Sequence, residues 1–541
     1  MLDIPVLISG GGPVGLTASL LLSQHGVRSL LVERHPGTAL TPKARGINAR
    51  TMEVFRQCGI DTAVREAGLA EGGTGLIVWA ETLAGREIER RVPGRATAKN
   101  MAATPVKNCL CAQDDLEPVI RRFAEVAGPG ELRFNTELTS FSQRPDAVTG
   151  ILTDRSTGEE TPFTARYLIA AEGAQSRVRR ALDVKMIGEE NVYDSVNILF
   201  RADLTQWVRH RPAALYFVEQ QDLRATFLTI NGRDRWGFLL HSPTKFGWRP
   251  EDFTPEFCAE LIRKGVGVPN LAVTVLGISP WQASAIVAAR YRVGNVFLAG
   301  DAAHEMPPTG GFGMNTGVQD VHNLAWKIAA VLRGKADDTL LDSYHAERQP
   351  LGLITTQASL ANALSMGRHA RQSNVLPRRE FLSEQGLIFG MSYQSTAVVP
   401  DGTLPVAVDD PVTEYVPSAR PGSRAPHVWL RRGNEQISTI DLFGPRFVLL
   451  AGRDGDAWKR AAEGISPSWP PLAAFTIGGN GDLGDPEDSW HSAYGVDADG
   501  AVLVRPDGYV AWRSRSGEAN PQSVLRAAMD RLLGRVSVTA G

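Results

Sequence analysis

Apolar and polar positions along the chain fall into several distinct textures. "IPVLIS" (4–9) is a continuous apolar run, the pattern of a strand buried on both faces. Residues 13–25 follow with Leu16, Leu20, Leu21 and Leu22 on one packed side, which predicts a helix, and "SLLVER" (29–34) predicts a second strand. Together these make a βαβ start. Residues 76–92 read as a hairpin turning at Ala84–Gly85, and residues 114–127 as an amphipathic helix. Residues 131–170 read as short strands separated by the turn signals "RPDA" and "STGE". From 190 to 280 the pattern is strand-like and rich in aromatics ("ALYFV", "ATFLTI", "WGFLLH"). An antiparallel sheet with one face against something apolar is expected there. A buried strand at 295–299 and a long helix at 316–333 follow. Prolines and a lack of long apolar runs over 400–426 suggest a linker. Beyond it, "RFVLLAG", a helix near 455–463, "AVLVRPDGYVAWR" and a last helix at 521–534 suffice for an independent α/β domain.

Composition changes this picture little. The 541 residues exceed what one core organises, and 43% apolar with 21% charged is ordinary globular usage. A net charge of −2 with no long Lys/Arg run favours neither nucleic acid nor an anionic membrane. The N-terminal apolar run is too short for a signal peptide or a span, and an acid stands at position 3, so a soluble cytoplasmic protein is expected. Of the four cysteines, Cys109 and Cys111 are too close for an ordinary disulfide and lack a second cluster to complete a zinc site. With Cys58 and Cys258 they read as free thiols in a reducing compartment.

Two glycine-rich stretches carry the chemistry. Gly10-Gly11-Gly12-Pro13-Val14-Gly15 fits G-x-G-x-x-G between a strand and a helix, and Glu33 closes the second strand. Such glycines let a pyrophosphate approach a helix N-terminus, and the acid accepts bonds from a ribose diol. The motif alone does not separate NAD(P) from FAD. "LAGDAAHEMPPTGGFGMN" (298–315) is the second stretch. Asp301, His304 and Glu305 suggest a metal site or a hydrolytic triad, but no further His or Cys stands at ligand spacing, and a G-x-S-x-G elbow is absent. No metal is therefore expected. The glycines instead suit a backbone grip on the flavin end of FAD, with a helix dipole favouring negative charge on the reduced ring.

With "ARGINARTMEVFRQCG" (44–59), Gln113, "GDAAHEMPPTGGFGMNTGVQDVHNLAWK" (300–327) and "LVRPDGYVAWR" (503–513), the chain resembles the class A flavoprotein monooxygenases of the p-hydroxybenzoate hydroxylase fold. The nearer resemblance is to the branch with phenol hydroxylase, chlorophenol monooxygenases and aromatic polyketide hydroxylases. It implies a Rossmann-like FAD-binding domain (1–75, 100–180 and 281–390), a substrate-binding middle domain built on an antiparallel sheet (76–99 and 181–280), a linker (391–436) and a thioredoxin-like C-terminal domain (437–541). That last domain contains no cysteine, so disulfide exchange is impossible there and a structural role, homodimer contacts included, is expected. The resemblance also implies FAD reduced by NAD(P)H, NADPH favoured, and O₂ activated as a flavin C4a-hydroperoxide that hydroxylates an electron-rich aromatic ring. Gly10, Gly12, Pro13, Val14, Gly15, Glu33 and Arg34 would hold the nucleotide end, with Leu138 near the adenine. Arg45, Gln113, Glu172, Gly173, Gly300 and Asp301 would follow along the cofactor. Pro308, Gly311, Gly313, Met314 and Asn315 would frame the isoalloxazine.

Two departures stand out. Glu172–Gly173 replaces the Asp-Gly usual in that segment, which predicts that FAD binding survives while reduction by NAD(P)H is altered. The position of phenol hydroxylase's acidic residue reads as Arg45, so no protein base carries over. Tyr216 and His241 are candidate assisting groups, and Trp236, Phe238 and Pro308 join them as candidates for lining the aromatic pocket. The same motifs admit Baeyer–Villiger oxygen insertion, a flavin dehydrogenase or oxidase, and a non-catalytic flavin-binding protein. These differ in product connectivity, in the need for NAD(P)H, and in substrate-stimulated turnover.

Overall fold

In a computed structural model the described residues are 1–69, 76–91, 102–366, 378, 383–465 and 469–535. The βαβ start forms as its pattern predicts: Leu2–Ser9, the helix Pro13–Gln24, then Ser29–Glu33. Leu2–Ser9 is the centre of a parallel sheet, between Glu160–Ala170 on one side and Ser29–Glu33 on the other. Val296–Leu298 and Glu131–Phe134 extend it, and the Thr136–Gln143/Val148–Asp154 hairpin attaches antiparallel. The continuous apolar runs are explained: Val6, Leu7 and Ile8 are wholly buried, so side chains on both faces of this central strand are covered.

The second sheet also has eight strands, running from His304–Glu305 through Thr274–Ala288 and Met186–Arg201 to Ile77–Ala80 and Glu87–Arg91. It is antiparallel except where Leu215–Gln220 meets Ile77–Ala80. The 76–92 hairpin forms with its turn at 81–86; residue 92 lies outside the described residues, as do 93–99 of the expected middle domain. The helix Pro255–Val266 packs on one face, burying Cys258, Leu261 and Ile262 against Phe227 and Phe238.

The C-terminal unit is a four-stranded sheet ordered Leu472–Thr476, Phe447–Ala451, Ala501–Val504 and Val510–Ser514, the first pair parallel, with the helices Asp456–Ile465 and Pro521–Leu532. Residues 391–426 carry no helix or strand, yet they are not a loose tether. Tyr393, Ala397, Ala419 and Ala425 are buried, and Arg424 joins an ion cluster with Glu53. The backbone there is satisfied by isolated bridges such as Arg424 with Tyr509, which leave no period to read. A hairpin, Trp429–Arg432 with Glu435–Ser438, then spans the end of the expected linker. No helix among the described residues is long and apolar enough to cross a membrane. All four cysteines are buried free thiols.

Candidate functional site

A cavity of about 1060 Å³ lies between the parallel sheet's glycine turn and the face of the antiparallel sheet that the Pro255–Val266 helix leaves uncovered. Its nucleotide-like end is built by Gly10–Val14. Gly10 has φ +111, and a Cβ there would overlap the Ala171 carbonyl; a Cβ on Gly15 would overlap the Gly10 carbonyl. Gly15 therefore sits under the turn, not in the cavity wall. The Pro13–Gln24 helix has Gly12 as its N-cap, with no side chain capping it. Its first hydrogen bond runs from Leu16 N to Gly12 O (3.0 Å), so earlier N–H groups have no helical acceptor and suit an anion. Glu33 Oε2 accepts from Gly11 N (2.6 Å) and Oε1 from His35 N (2.9 Å), leaving carboxylate lone pairs toward the cavity that Glu33 and Arg34 line.

Along the cavity, Gln113 donates to Glu117 Oε1 (2.7 Å), and Glu117 Oε2 accepts from Ala39 N (2.6 Å). Arg45 lines the wall with its guanidinium on two carbonyls of the middle sheet region, Thr229 (2.9 Å) and Ala214 (2.7 Å). Burial without a carboxylate partner pushes its pKa down to about 10. Glu172 and Gly173 line the cavity, but the Glu172 carboxylate is committed elsewhere. It accepts from Ser9 Oγ (3.0 Å), Ser176 Oγ (2.6 Å) and Val178 N (3.0 Å), so the extra methylene serves to tie down the 171–178 turn. Asp301 lines the cavity; the surrounding protein raises its pKa, while His304 and Lys43 pull it back. Glu305, beyond the wall, is pushed up to about 7 by burial, opposed by Arg179 at 4.0 Å.

The far end is the Met306–Met314 loop. The helix after it spans Gly313–Leu332, three residues earlier than its apolar stripe suggests, because Gly313 and Asn315 read as loop. It too lacks a side-chain cap, and its first bond is Thr316 N to Phe312 O (2.8 Å). The N–H groups of Gly313 and Met314 are thus placed beside the cavity these residues line. At Gly311 (φ +67) and Gly173 a Cβ would meet no atom within 4 Å and would project into open space, as expected of a cradle for a planar group. Pro308 lines the cavity. Asn315 does not: Oδ1 accepts from Asn48 N (3.0 Å), and Nδ2 donates to Gly46 O (2.8 Å) and Gly311 O (2.6 Å), stitching the 46–48 segment to the loop. Gly300 packs under Val14, and Leu138 lies in the core of the first domain, away from the cavity. His304 and Asp301 do not converge on a ligand. His304 Nε2 binds Asp320 Oδ2 (2.8 Å), both fully buried.

The floor requires a correction. Tyr216, Trp236 and Phe238 face the Pro255–Val266 helix, not the cavity, and pack in a core with Phe227 and Val266. The Tyr216 hydroxyl donates to Arg211 O (2.9 Å) and accepts from Ala213 N (2.8 Å). Strand side chains alternate, so the neighbouring positions face the cavity: Leu215 and Phe217, Thr226 and Leu228, and Leu239. His241, two residues past Leu239 and so on the same face, does not line the cavity; its Nε2 lies 2.7 Å from Thr226 Oγ1. The sequence showed the alternation but not its phase. The signal that sets it is the apolar face of 255–266, which marks the covered side.

Residues 3–359 match the FAD binding domain family, and residues 418–536 the aromatic-ring hydroxylase C-terminal family. The chain is 39% identical to tetracenomycin A2 monooxygenase-dioxygenase of Streptomyces glaucescens, over 100% of this chain and 98% of that one. It is 37% identical to an aklavinone 12-hydroxylase of Streptomyces purpurascens, over 98% and 99%. Among solved structures, the flavin-dependent monooxygenase PieE in complex with FAD and substrate superposes with a TM-score of 0.91 at 35% identity, covering 99% of this chain and 100% of that one. A ternary complex of aklavinone-11 hydroxylase with FAD and aklavinone gives 0.90 at 35% identity over the same shares.

Proposed function

The chain belongs to the FAD-dependent aromatic-ring monooxygenases, and from that premise we propose that it hydroxylates a fused-ring, polyketide-type phenol, with NADPH as reductant and O₂ as oxygen source. The observation that carries this reading is the apolar floor of Leu215, Phe217, Leu228 and Leu239, facing the same cavity as the Met306–Met314 loop. A flat aromatic substrate suits such a slot, and the apolar side chains exclude water from it.

The residues present fit FAD. The orphan N–H groups behind Gly12 suit the pyrophosphate, Glu33 the ribose, Asp301 the ribityl hydroxyls, and Gly313 and Met314 N–H the pyrimidine edge of the ring. When bound, FAD supplies electron transfer from NADPH and activation of O₂. The dipole of the Gly313–Leu332 helix favours negative charge at its N-terminus. Thr226 is the polar side chain on the floor. With His241 Nε2 as acceptor, its hydroxyl hydrogen points to His241, and its lone pairs remain to receive a phenolic O–H.

Thr226→Val is therefore expected to raise KM about tenfold, the scale of one lost buried hydrogen bond. Steady-state NADPH oxidation measures it, and an unchanged KM would remove Thr226 from the substrate contact. Glu172→Asp shortens the carboxylate that binds Ser9, Ser176 and Val178 N. It is expected to retain FAD and to slow flavin reduction by NADPH about fivefold, read by stopped-flow; reduction at the parent rate would discard that link.

Function itself is tested by screening phenols and polyketide aromatics for stimulated NADPH and NADH oxidation, with product mass and NMR. A ring hydroxyl supports the reading, a ketone converted to an ester replaces it with oxygen insertion, and FAD reduced by substrate alone points to a dehydrogenase. No stimulated oxidation with any aromatic sinks it.

A further inference from the structure

No described residue of the 437–535 region lines the cavity, yet that region reaches the flavin loops through two buried clusters joined at Glu347–Arg348. Arg505 donates to Glu347 with both terminal nitrogens (2.6 and 2.9 Å) and to Asp507 Oδ1 with Nε (3.0 Å). Asn323 Nδ2 joins Glu347 Oε2 (2.6 Å) to Asp507 Oδ2 (3.2 Å). Lys327 Nζ adds bonds to Glu347 (2.7 Å) and Asn323 (2.8 Å). Arg348, the residue after Glu347, donates to Asp320 Oδ1 (2.9 Å), Thr316 O (3.1 Å) and the Tyr393 hydroxyl (3.2 Å). Asp320 Oδ2 in turn accepts from Gly300 N (3.1 Å) and His304 Nε2 (2.8 Å). Gly300 immediately precedes Asp301, which faces the cavity, and Thr316 lies in the first turn of the helix aimed at it.

Stability alone does not call for such a chain. Well-packed apolar residues often replace buried ions at no loss, whereas hydrogen-bonded ions fix geometry and pass on a displacement of either end. We propose that Asp320 is a positioning residue for the flavin site, and that the C-terminal domain, through Arg505 and Asp507, holds Asp320 in register. The domain thereby controls FAD affinity and redox potential at a cavity it does not touch. The inference rests on FAD occupying the cavity and is independent of the substrate's identity.

The test uses the full chain carrying Asp320→Asn, Asp507→Asn or both, with Asp401→Asn as control. Asp401, in the 391–426 segment, pairs with Arg513 of the C-terminal sheet (2.8 Å to Nε) outside the chain of contacts. The readouts are FAD dissociation by flavin fluorescence, the midpoint potential by dye equilibration, and Tm. Asp507→Asn is expected to weaken FAD about tenfold and to shift the potential in the same direction as Asp320→Asn. The double variant should lose less than the two single losses combined. Asp401→Asn should lower Tm and leave both flavin readouts at parent values. If the Asp variants do not fold, Asn323→Ala, which removes the amide bridge between Asp507 and Glu347 without stranding a charge and leaves only Arg505 joining them, should weaken FAD about threefold. Parent-like FAD affinity and potential in Asp507→Asn, or in Asn323→Ala where that is the folded variant, overturn the proposal. So does strict additivity of the two Asp substitutions.

Discussion

Gly15→Ala is expected to yield a folded chain that loses its flavin on gel filtration. The new Cβ would overlap the Gly10 carbonyl, and that turn has nowhere to retreat. Gly10 N is bonded to Val32 O (2.9 Å), Ala171 N to Ser9 O (2.8 Å), and the Gly10 Cα already rests on the Ala171 carbonyl. The helix must therefore move outward, carrying its open N-terminus away from the pyrophosphate position. Overpacking of this kind costs about 1–3 kcal/mol, or roughly 10–100-fold in FAD affinity if the loss falls on binding. Gly12→Ala separates the two ways a glycine can matter. Its Cβ would meet only Glu117 Oε1 at 4.0 Å, so the fold is undisturbed while the methyl group enters the space for the cofactor. FAD affinity should fall there with Tm unchanged, whereas Gly15→Ala should lower both. Parent affinity in Gly15→Ala would show that the close approach of helix and turn is not what shapes the site.

These two positions were legible in the sequence because their constraint is local. A strand, a glycine turn and a helix determine each other within about a dozen residues, and the second glycine loop announces itself by composition. What could not be read depends on contacts distant in sequence. The phase of the substrate floor, with Phe217 and Thr226 inward and Tyr216, Trp236 and Phe238 outward, is set by which face the Pro255–Val266 helix covers. The long Asp342–Ser365 helix shows no clean stripe. It contains Pro350, and its buried positions include Ser343, Glu347, Arg348, Thr356 and Asn362. Glu347 and Arg348 are inside because partners from 316–327, 393–395 and 505 meet them there, and Asn362 because Glu384 and Arg378 do, which no local period encodes. The Gly313 helix start was obscured for the same reason: Asn315 is helical because its side chain is held by Asn48, Gly46 and Gly311.

The second large effect is expected at Glu53, where Glu53→Gln should cost about 3–5 kcal/mol of stability. The carboxylate is fully buried between Arg50 (Nη1 to Oε2, 2.9 Å) and Arg424 (Nε to Oε2, 3.0 Å, with Nη2 on Oε1), and Thr104 Oγ1 donates to Oε1 (2.6 Å). Neutralising it leaves two buried guanidinia without their counter-charge. Arg424 belongs to the 391–426 segment, and Arg50 also donates to Asp507 O (2.6 Å), so the attachment of the C-terminal third should loosen first. Glu53→Gln with Arg424→Gln should cost less than the two changes summed, because the second removes a charge the first has stranded. The pH dependence has a definite sign. Burial opposes ionisation of Glu53, but Arg424 and Arg50 outweigh it and hold its pKa below the ordinary value of 4.5. Its contribution is thus complete above about pH 4.5 and fades as the pH falls through the lower folded value, where the parent carboxyl is itself protonated. Denaturant unfolding at pH 7 should show the full gap between parent and Glu53→Gln, narrowing steadily in acid. A gap independent of pH would mean that Gln at this position fails through its shape, not through the missing charge.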